Sequence, residues 1–359
     1  MTRKFVMVVF FALLVLPFAA QDDAPVSLEF IGEFNFPAGS TYETTFIGGL
    51  SSIDYDPATE TYYVISDDRI ESGPARFYTV DIDFDALGIN DVVFTSVTEI
   101  LKPDGTSFGE LGADPEGMRY VAANNTLLWS HERDENGNPF VGEINLDGTP
   151  LRSFTLPDYY FMNEDGTQGA ADNAGFESLT LSADGTQVIA GIEAALLQDG
   201  PLASLDAGSP SRVLVFDYES GEPVAEYVYM NEAIPIQPEP ADGFALNGVV
   251  EMYARPDGTF YSLERAFAAG VGHVGVLYVV DFEGATNVLG EPTLAGLAYT
   301  PATKTPVLTI PDENVDVVDN VEGITFGPEV DGRRTLLINS DDNFSPFQNS
   351  QFLAYFINE

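Results

Sequence analysis

Four glutamates, Glu116, Glu177, Glu251 and Glu322, each stand early in a short run of strand-forming residues, and Ser51 holds the same place in a fifth run. A turn follows each run, and a second run ends on another acid: Asp67 or Asp68, Glu132, Glu193, Glu264 and Asp342. The midpoint of each pair falls in or beside the turn, so a hairpin sets the two acids against each other. Like charges opposed on paired strands are destabilising. A cation bound between them removes that penalty, and hard oxygen donors select Ca²⁺, with Mg²⁺ as the alternative. The chain has no cysteine and only two histidines, which argues against a soft-metal site. One such glutamate alone more often caps a loop or pairs with an arginine. Repetition at one position favours a shared cation or water network, with Glu116, Glu177, Glu251 and Glu322 as ligands and the Ser51 hydroxyl as a neutral fifth.

The residue after the second acid is arginine in three copies, Arg69, Arg133 and Arg265, and Ala194 or Asn343 in the others. Guanidinium forks hold carboxylate or phosphate bidentately. These arginines are therefore candidates for an anion-binding rim above the cation; ion pairs bracing each hairpin are the other reading. His131, in "SHER", and His273, in "AAGVGHVGVLY", map to the same rim. His131, Glu193 and Glu264 are the candidates for proton transfer. No G-x-S-x-G elbow, P-loop, G-x-G-x-x-G unit or H-E-x-x-H pair occurs.

The elements that must position these residues are repeated. "GGLSSIDYDPATETYYVISDDR", "DPEGMRYVAANNTLLWSHER", "NAGFESLTLSADGTQVIAGIEAAL", "NGVVEMYARPDGTFYSLER" and "NVEGITFGPEVDGRRTLLINSDDN" are each strand, turn, strand. Each is followed by a third run, such as "ARFYTVDI" or "GVLYVVDF", and four copies by a fourth. The fifth copy lacks a fourth run, while a spare strand, "VSLEFIGEFNF", precedes the first copy. This predicts an all-β fold: a single β-propeller of five four-stranded blades, its last blade completed by the N-terminal strand. Six blades are the alternative, with a degenerate blade in the long 85–115 or 194–247 connection. First strands line a propeller's channel, so the repeated acids are expected at one end of the axis.

Formal net charge is −43, from 57 acidic and 14 basic residues among 359. That argues against nucleic acid and anionic membrane surfaces as partners. Arg3, Lys4 and the apolar run from Phe5 to Leu16 read as a secretory signal peptide over residues 1–20. Residues 21–359 then form the exported domain, periplasmic or extracellular, with no membrane insertion after cleavage. The domain is expected to be a monomer.

"GGLSSIDYDP" with "YYVISDDR", then "DPEGM", "GFESLTLSADG", "SLERAF" and "NVEGITFGP" with "LLINSDDN" resemble, in this order, the phytase-like, esterase-like family of secreted bacterial proteins. The resemblance runs from about residue 45 to 357. It implies a propeller with esterase-like or phosphoesterase-like activity on a small anionic ester. Calcium-dependent β-propeller phytases are similar in logic, but their lysine-rich phosphate site has no counterpart here. The ring of Ser51 and four glutamates also looks like that of calcium-activated apyrases, by architectural analogy. The sequence leaves two functions open: a calcium-dependent hydrolase, or a non-catalytic calcium-stabilised propeller that binds an extracellular ligand or partner.

Overall fold

The computed structural model describes residues 26–359; the expected signal segment lies outside them. Each sequence copy forms an antiparallel four-stranded sheet. Blade 1 comprises Leu50–Asp56, Thr61–Ser66, Arg76–Asp85 and Gly88–Glu99. Blade 2 comprises Pro115–Val121, Thr126–His131, Phe140–Asn145 and Pro150–Ser153. Blade 3 comprises Phe176–Leu181, Gln187–Ile192, Ser209–Asp217 and Pro223–Asn231, and blade 4 Ala245–Ala254, Phe260–Ala268, Gly272–Asp281 and Thr303–Ile310. Blade 5 takes Asn320–Phe326, Thr335–Asp341 and Ser350–Asn358 from the C-terminal end and Ser27–Phe36 from the N-terminal end. The pairing of that last strand runs from Ser27 against Asn358 to Phe36 against Ser350. The fold is thus the expected five-bladed propeller. The long connections carry outer strands and loops rather than a sixth blade.

First strands of neighbouring blades pack together around the whole ring, including blade 5 on blade 1. Both faces of these strands are buried, so apolar residues on each blade meet those of the next. Ile53 and Val64 of blade 1 pack in one cluster with Leu337 and Phe352 of blade 5. Comparable clusters fill the other seams. Such burial contributes roughly 1.5–3 kcal/mol per large apolar side chain. A rigid scaffold around the axis results. No helix among the described residues is long and apolar enough to cross a membrane.

One irregularity recurs and matters for the site. Each first strand carries a β-bulge, near its start in four blades and mid-strand in blade 4, at the register shifts Leu50/Ser52, Pro115/Met118, Phe176/Ser178, Val249/Glu251 and Val321/Gly323. A bulge inserts an unpaired residue and re-aims its side chain.

Candidate functional site

The residues left unpaired in the bulges are Ser51, Glu116 with Gly117, Glu177, Val250 and Glu322. Opposite the residue that precedes each bulge, the second strand places Ser66, His131, Ile192, Glu264 or Ser340. The next residues are therefore equivalent: Asp67, Glu132, Glu193, Arg265 and Asp341. Four blades thus bring a carboxylate from the second strand to the channel mouth. Blade 4 brings an arginine there and a valine in the bulge.

These side chains converge. Ser51 Oγ lies 2.5 Å from Glu116 Oε2 and 3.0 Å from Glu322 Oε2. One hydroxyl proton serves one of these contacts, so the other calls for a proton on a carboxyl or a cation nearby. Oxygens of Asp114, Glu116 and Glu132 lie within 4.8 Å of one another, as do those of Glu132, Glu177 and Glu193. Close approach of backbone makes this possible. A Cβ on Gly248 would come within 2.4 Å of Glu193 Cγ, and Gly49, at φ 63°, leaves room for Asp67.

Seven buried carboxylates gather here, Asp114, Glu116, Glu132, Glu177, Glu193, Glu322 and Asp341, with the half-buried Asp67 beside them. Arg69 and Arg133 both turn to Asp114, at 3.2 and 2.8 Å. Arg133 is further tied to Asp172 and Asn173. Among the described residues Arg265 alone enters the ring as a cation, 3.2 Å from Glu322 and 3.5 Å from Glu193. The charge is therefore badly undercompensated. Burial first, and then the neighbouring acids, push Asp67, Glu116, Glu177 and Asp341 well above the usual carboxylate range. Burial raises Glu132 to about 7, with Asp114 and Glu193 adding to it. Burial also raises Glu322 to about 7, against the pull of Arg265 and Ser51.

The donor set fits a hard cation. All the ligand atoms are oxygens, and oxygens each about 2.4 Å from one Ca²⁺ are at most about 4.8 Å apart. Glu132 Oε1 accepts a bond from the Gly175 amide at 2.9 Å, whereas its buried Oε2 has no hydrogen-bond partner. A buried charged oxygen without a partner is costly unless something outside the protein fills the place. The clusters open towards a cavity of about 690 Å³ lined by Asp67, Asp114, Glu116, Glu177, Glu322, Arg69 and Arg265, with Phe244, Phe267 and His273 on one side.

With this geometry, the family described as "Phytase-like: Esterase-like activity of phytase" matches residues 45–344. The chain belongs to the phytase-like family. The match spans all five bulged hairpins of this phytase-like propeller. No curated protein matches the chain. Solved structures similar to it include "Structure of Dos1 propeller", 8% identical, covering 92% of this chain and 95% of that one, with a TM-score of 0.35. The Pseudomonas aeruginosa periplasmic gluconolactonase PpgL is 13% identical, with 92% and 96% coverage and a TM-score of 0.37.

Several expected site residues lie elsewhere in this phytase-like chain. Glu251 follows the bulge instead of occupying it. It points down the axis to Arg119, at 2.6 Å, and accepts bonds from Ser52 at 2.8 Å and the Met252 amide at 2.9 Å. Arg119 also donates to the Ile53, Met118 and Met252 carbonyls. The pair plugs the channel beneath the acids, and the Glu251 carboxylate is already satisfied there. Glu264 faces away from the mouth towards Lys304, Tyr229 and Asn247. His131 precedes Glu132 on its strand and so faces the other way. It stacks on Phe140, 5.1 Å between centroids, in a separate cavity, and burial lowers it to about 4. His273 does line the mouth, where burial and then Arg265 lower it to about 4.

Ser51, Glu116, Glu177, Glu322, Glu193 and Arg265 are brought together, and Arg69 stands at the cavity edge. Asp114, Glu132 and Asp341 complete the cluster and were absent from the expected ligand set. Asp114 had a signal: it stands two residues before Glu116, the strand period that shares a face.

Proposed function

We propose that the protein is an exported, calcium-dependent hydrolase of small anionic esters, working at the channel mouth. The single observation that carries this is the undercompensated carboxylate cluster around the unpartnered Glu132 Oε2, open to a cavity that Arg265 enters. Ser51, Glu116, Glu132, Glu177 and Glu322 would hold Ca²⁺, with Asp114 and Glu193 beside them; Mg²⁺ suits this crowded, irregular set less well. Bound there, calcium would polarise a phosphoryl or carbonyl oxygen and lower the pKa of a coordinated water.

The chain's own residues do the remaining work. Arg265, and Arg69 at the edge, bind the anionic group and stabilise charge that develops on it. Arg133 fixes Asp114 rather than substrate. Glu193, raised by burial, held in check by Arg265 and lying beneath the cavity, would take a proton from a water that reaches it through the carboxylate cluster. His273 supplies the imidazole at the mouth that was expected of His131. The N-terminal run supports export, and a ring closed by its own strand Ser27–Phe36 supports action as a monomer.

Calcium calorimetry on wild type, Glu177→Gln and Glu251→Gln tests the ligand set. Glu177→Gln should lose at least about tenfold in affinity, while Glu251→Gln should keep it. Unchanged binding by Glu177→Gln overturns the assignment. One observation favours a second reading, a structural calcium in a non-catalytic propeller: Glu132 and Glu193 are buried below the open cavity. Calcium that raises the melting temperature without turnover of any ester would decide for it.

A further inference from the structure

Resting on the ester-hydrolase reading, we propose that the substrate joins its anionic group to a compact apolar, preferably aromatic, substituent, and that blade 4 is built to receive that substituent.

Blade 4 departs from the other blades in three coupled ways. Its second strand, Phe260–Ala268, has nine residues, against six in Thr61–Ser66, Thr126–His131 and Gln187–Ile192. At about 3.4 Å per residue, three more residues raise this blade by roughly 10 Å. The register shows where the extra length goes. Beyond Gly248 paired with Arg265, the pairing continues upward through Leu246 with Phe267 to Ala245 with Ala268. The third strand follows, with His273 beside Phe267. The raised part is thus a wall above the mouth.

The wall is apolar and faces the cavity. Leu246, Phe267 and His273 lie side by side across three strands and all line it. The Phe267 and His273 rings are 4.9 Å apart, and Phe244 stands 6.3 Å from Phe267 with 63% of its surface exposed. From the neighbouring blade, Phe344 adds another partly exposed ring to the cavity lining. An exposed phenylalanine at the edge of a strongly acidic cavity has no structural need; large apolar surface beside a few placed polar groups is the pattern of a ligand pocket.

The third departure fixes the order of groups in the substrate. Blade 4 alone replaces the second-strand acid with a cation. Arg265 and Phe267 are two residues apart on one strand, so they share a face about 7 Å apart. Arg265 Nε is buried without a hydrogen-bond partner. A ligand whose anionic group meets Arg265 therefore presents its next group, at ring distance, to Phe267 and Phe244. Two residues past the ring position the other blades carry Arg69, Asp134, Ala195 and Asn343, none of which offers such a wall. A polyphosphorylated ligand is disfavoured: among the described residues only Arg69 and Arg265 bring a guanidinium to the cavity, and carboxylates surround them.

Calorimetry of the full mature protein in calcium with phenylphosphonate and methylphosphonate tests this without requiring turnover. Phenylphosphonate should bind at least about tenfold more tightly. Phe244→Ala, a change at an exposed side chain, and Phe267→Leu should each shrink that ratio while leaving methylphosphonate binding as it was. Equal affinities in wild type, or no binding of either, overturn the proposal. Turnover of 4-nitrophenyl phosphate, followed alongside, reports separately on the hydrolase reading: discrimination without turnover keeps the apolar receptor and sinks the hydrolase.

Discussion

Arg265 Nη2 lies 3.2 Å from Glu322 Oε1, across the seam between blades 4 and 5. It stands where the other four blades put a carboxylate, so one guanidinium is set into a ring of acids. Such a residue offsets part of the repulsion and still points a positive group at the cavity.

Arg265→Gln should therefore raise KM for a small anionic ester about 10–100-fold, the loss of a charge-assisted hydrogen bond of about 1.5–3 kcal/mol. Arg265→Lys should recover part of it, because a point charge replaces a fork. Steady-state kinetics at saturating calcium read this. An unchanged KM would remove Arg265 from substrate binding.

Glu132 and Glu264 make a contrasting pair. Glu132→Gln takes away the unpartnered oxygen and should weaken calcium binding at least about tenfold. Glu264→Gln should leave calcium binding intact and lower stability instead, because Lys304 loses its buried partner. Removing one member of a buried pair costs about 3–5 kcal/mol. Chemical denaturation with calcium calorimetry separates the two.

The axial plug makes a purely structural forecast. Glu251→Gln strips the charge that faces Arg119 in a fully buried place and should destabilise the fold by about 3–5 kcal/mol. Denaturation midpoints measured in EDTA check it. A loss of calcium dependence in this variant would contradict the separation of plug from metal cluster.

Acidity gives a fourth forecast. Burial lifts Glu132 and Glu322 from 4.5 to about 7. The folded chain then holds protons that the unfolded chain has released. Stability from these groups is complete below about pH 4.5 and is lost as pH rises through about 7. In EDTA the melting temperature should fall across that window. Calcium should remove the fall by supplying the missing positive charge. A flat profile in EDTA would show that the cluster is compensated in some other way.

The ring was legible in the sequence because it rests on repetition: five hairpins, their outer runs and one spare strand account for twenty strands. The acids were legible as a class for the same reason. What the sequence concealed was register. A bulge adds one residue, and a slip of one moves a side chain to the other face. Matching glutamate to glutamate set Glu251 and Glu264 in line with Glu177 and Glu193, whereas Val250 and Arg265 occupy those places. The same slip separates Asp341, in the ring, from Asp342, whose Oδ1 binds the Gly49 and Phe344 amides. His131 was misplaced by strand alternation: Glu132 beside it faces the channel, so the imidazole does not. Burial depth, which decides whether an acid needs a cation, is set by neighbouring blades and cannot be read along one hairpin.

The most direct measurement is hydrolysis of matched chromogenic phosphate and carboxyl esters by the mature protein, across a calcium titration and in EDTA. Calcium-dependent turnover that Glu132→Gln and Glu177→Gln abolish and Glu251→Gln retains is the result expected. Turnover that persists in EDTA, or none on any ester while calcium still raises the melting temperature, would contradict a calcium-dependent hydrolase at the channel mouth.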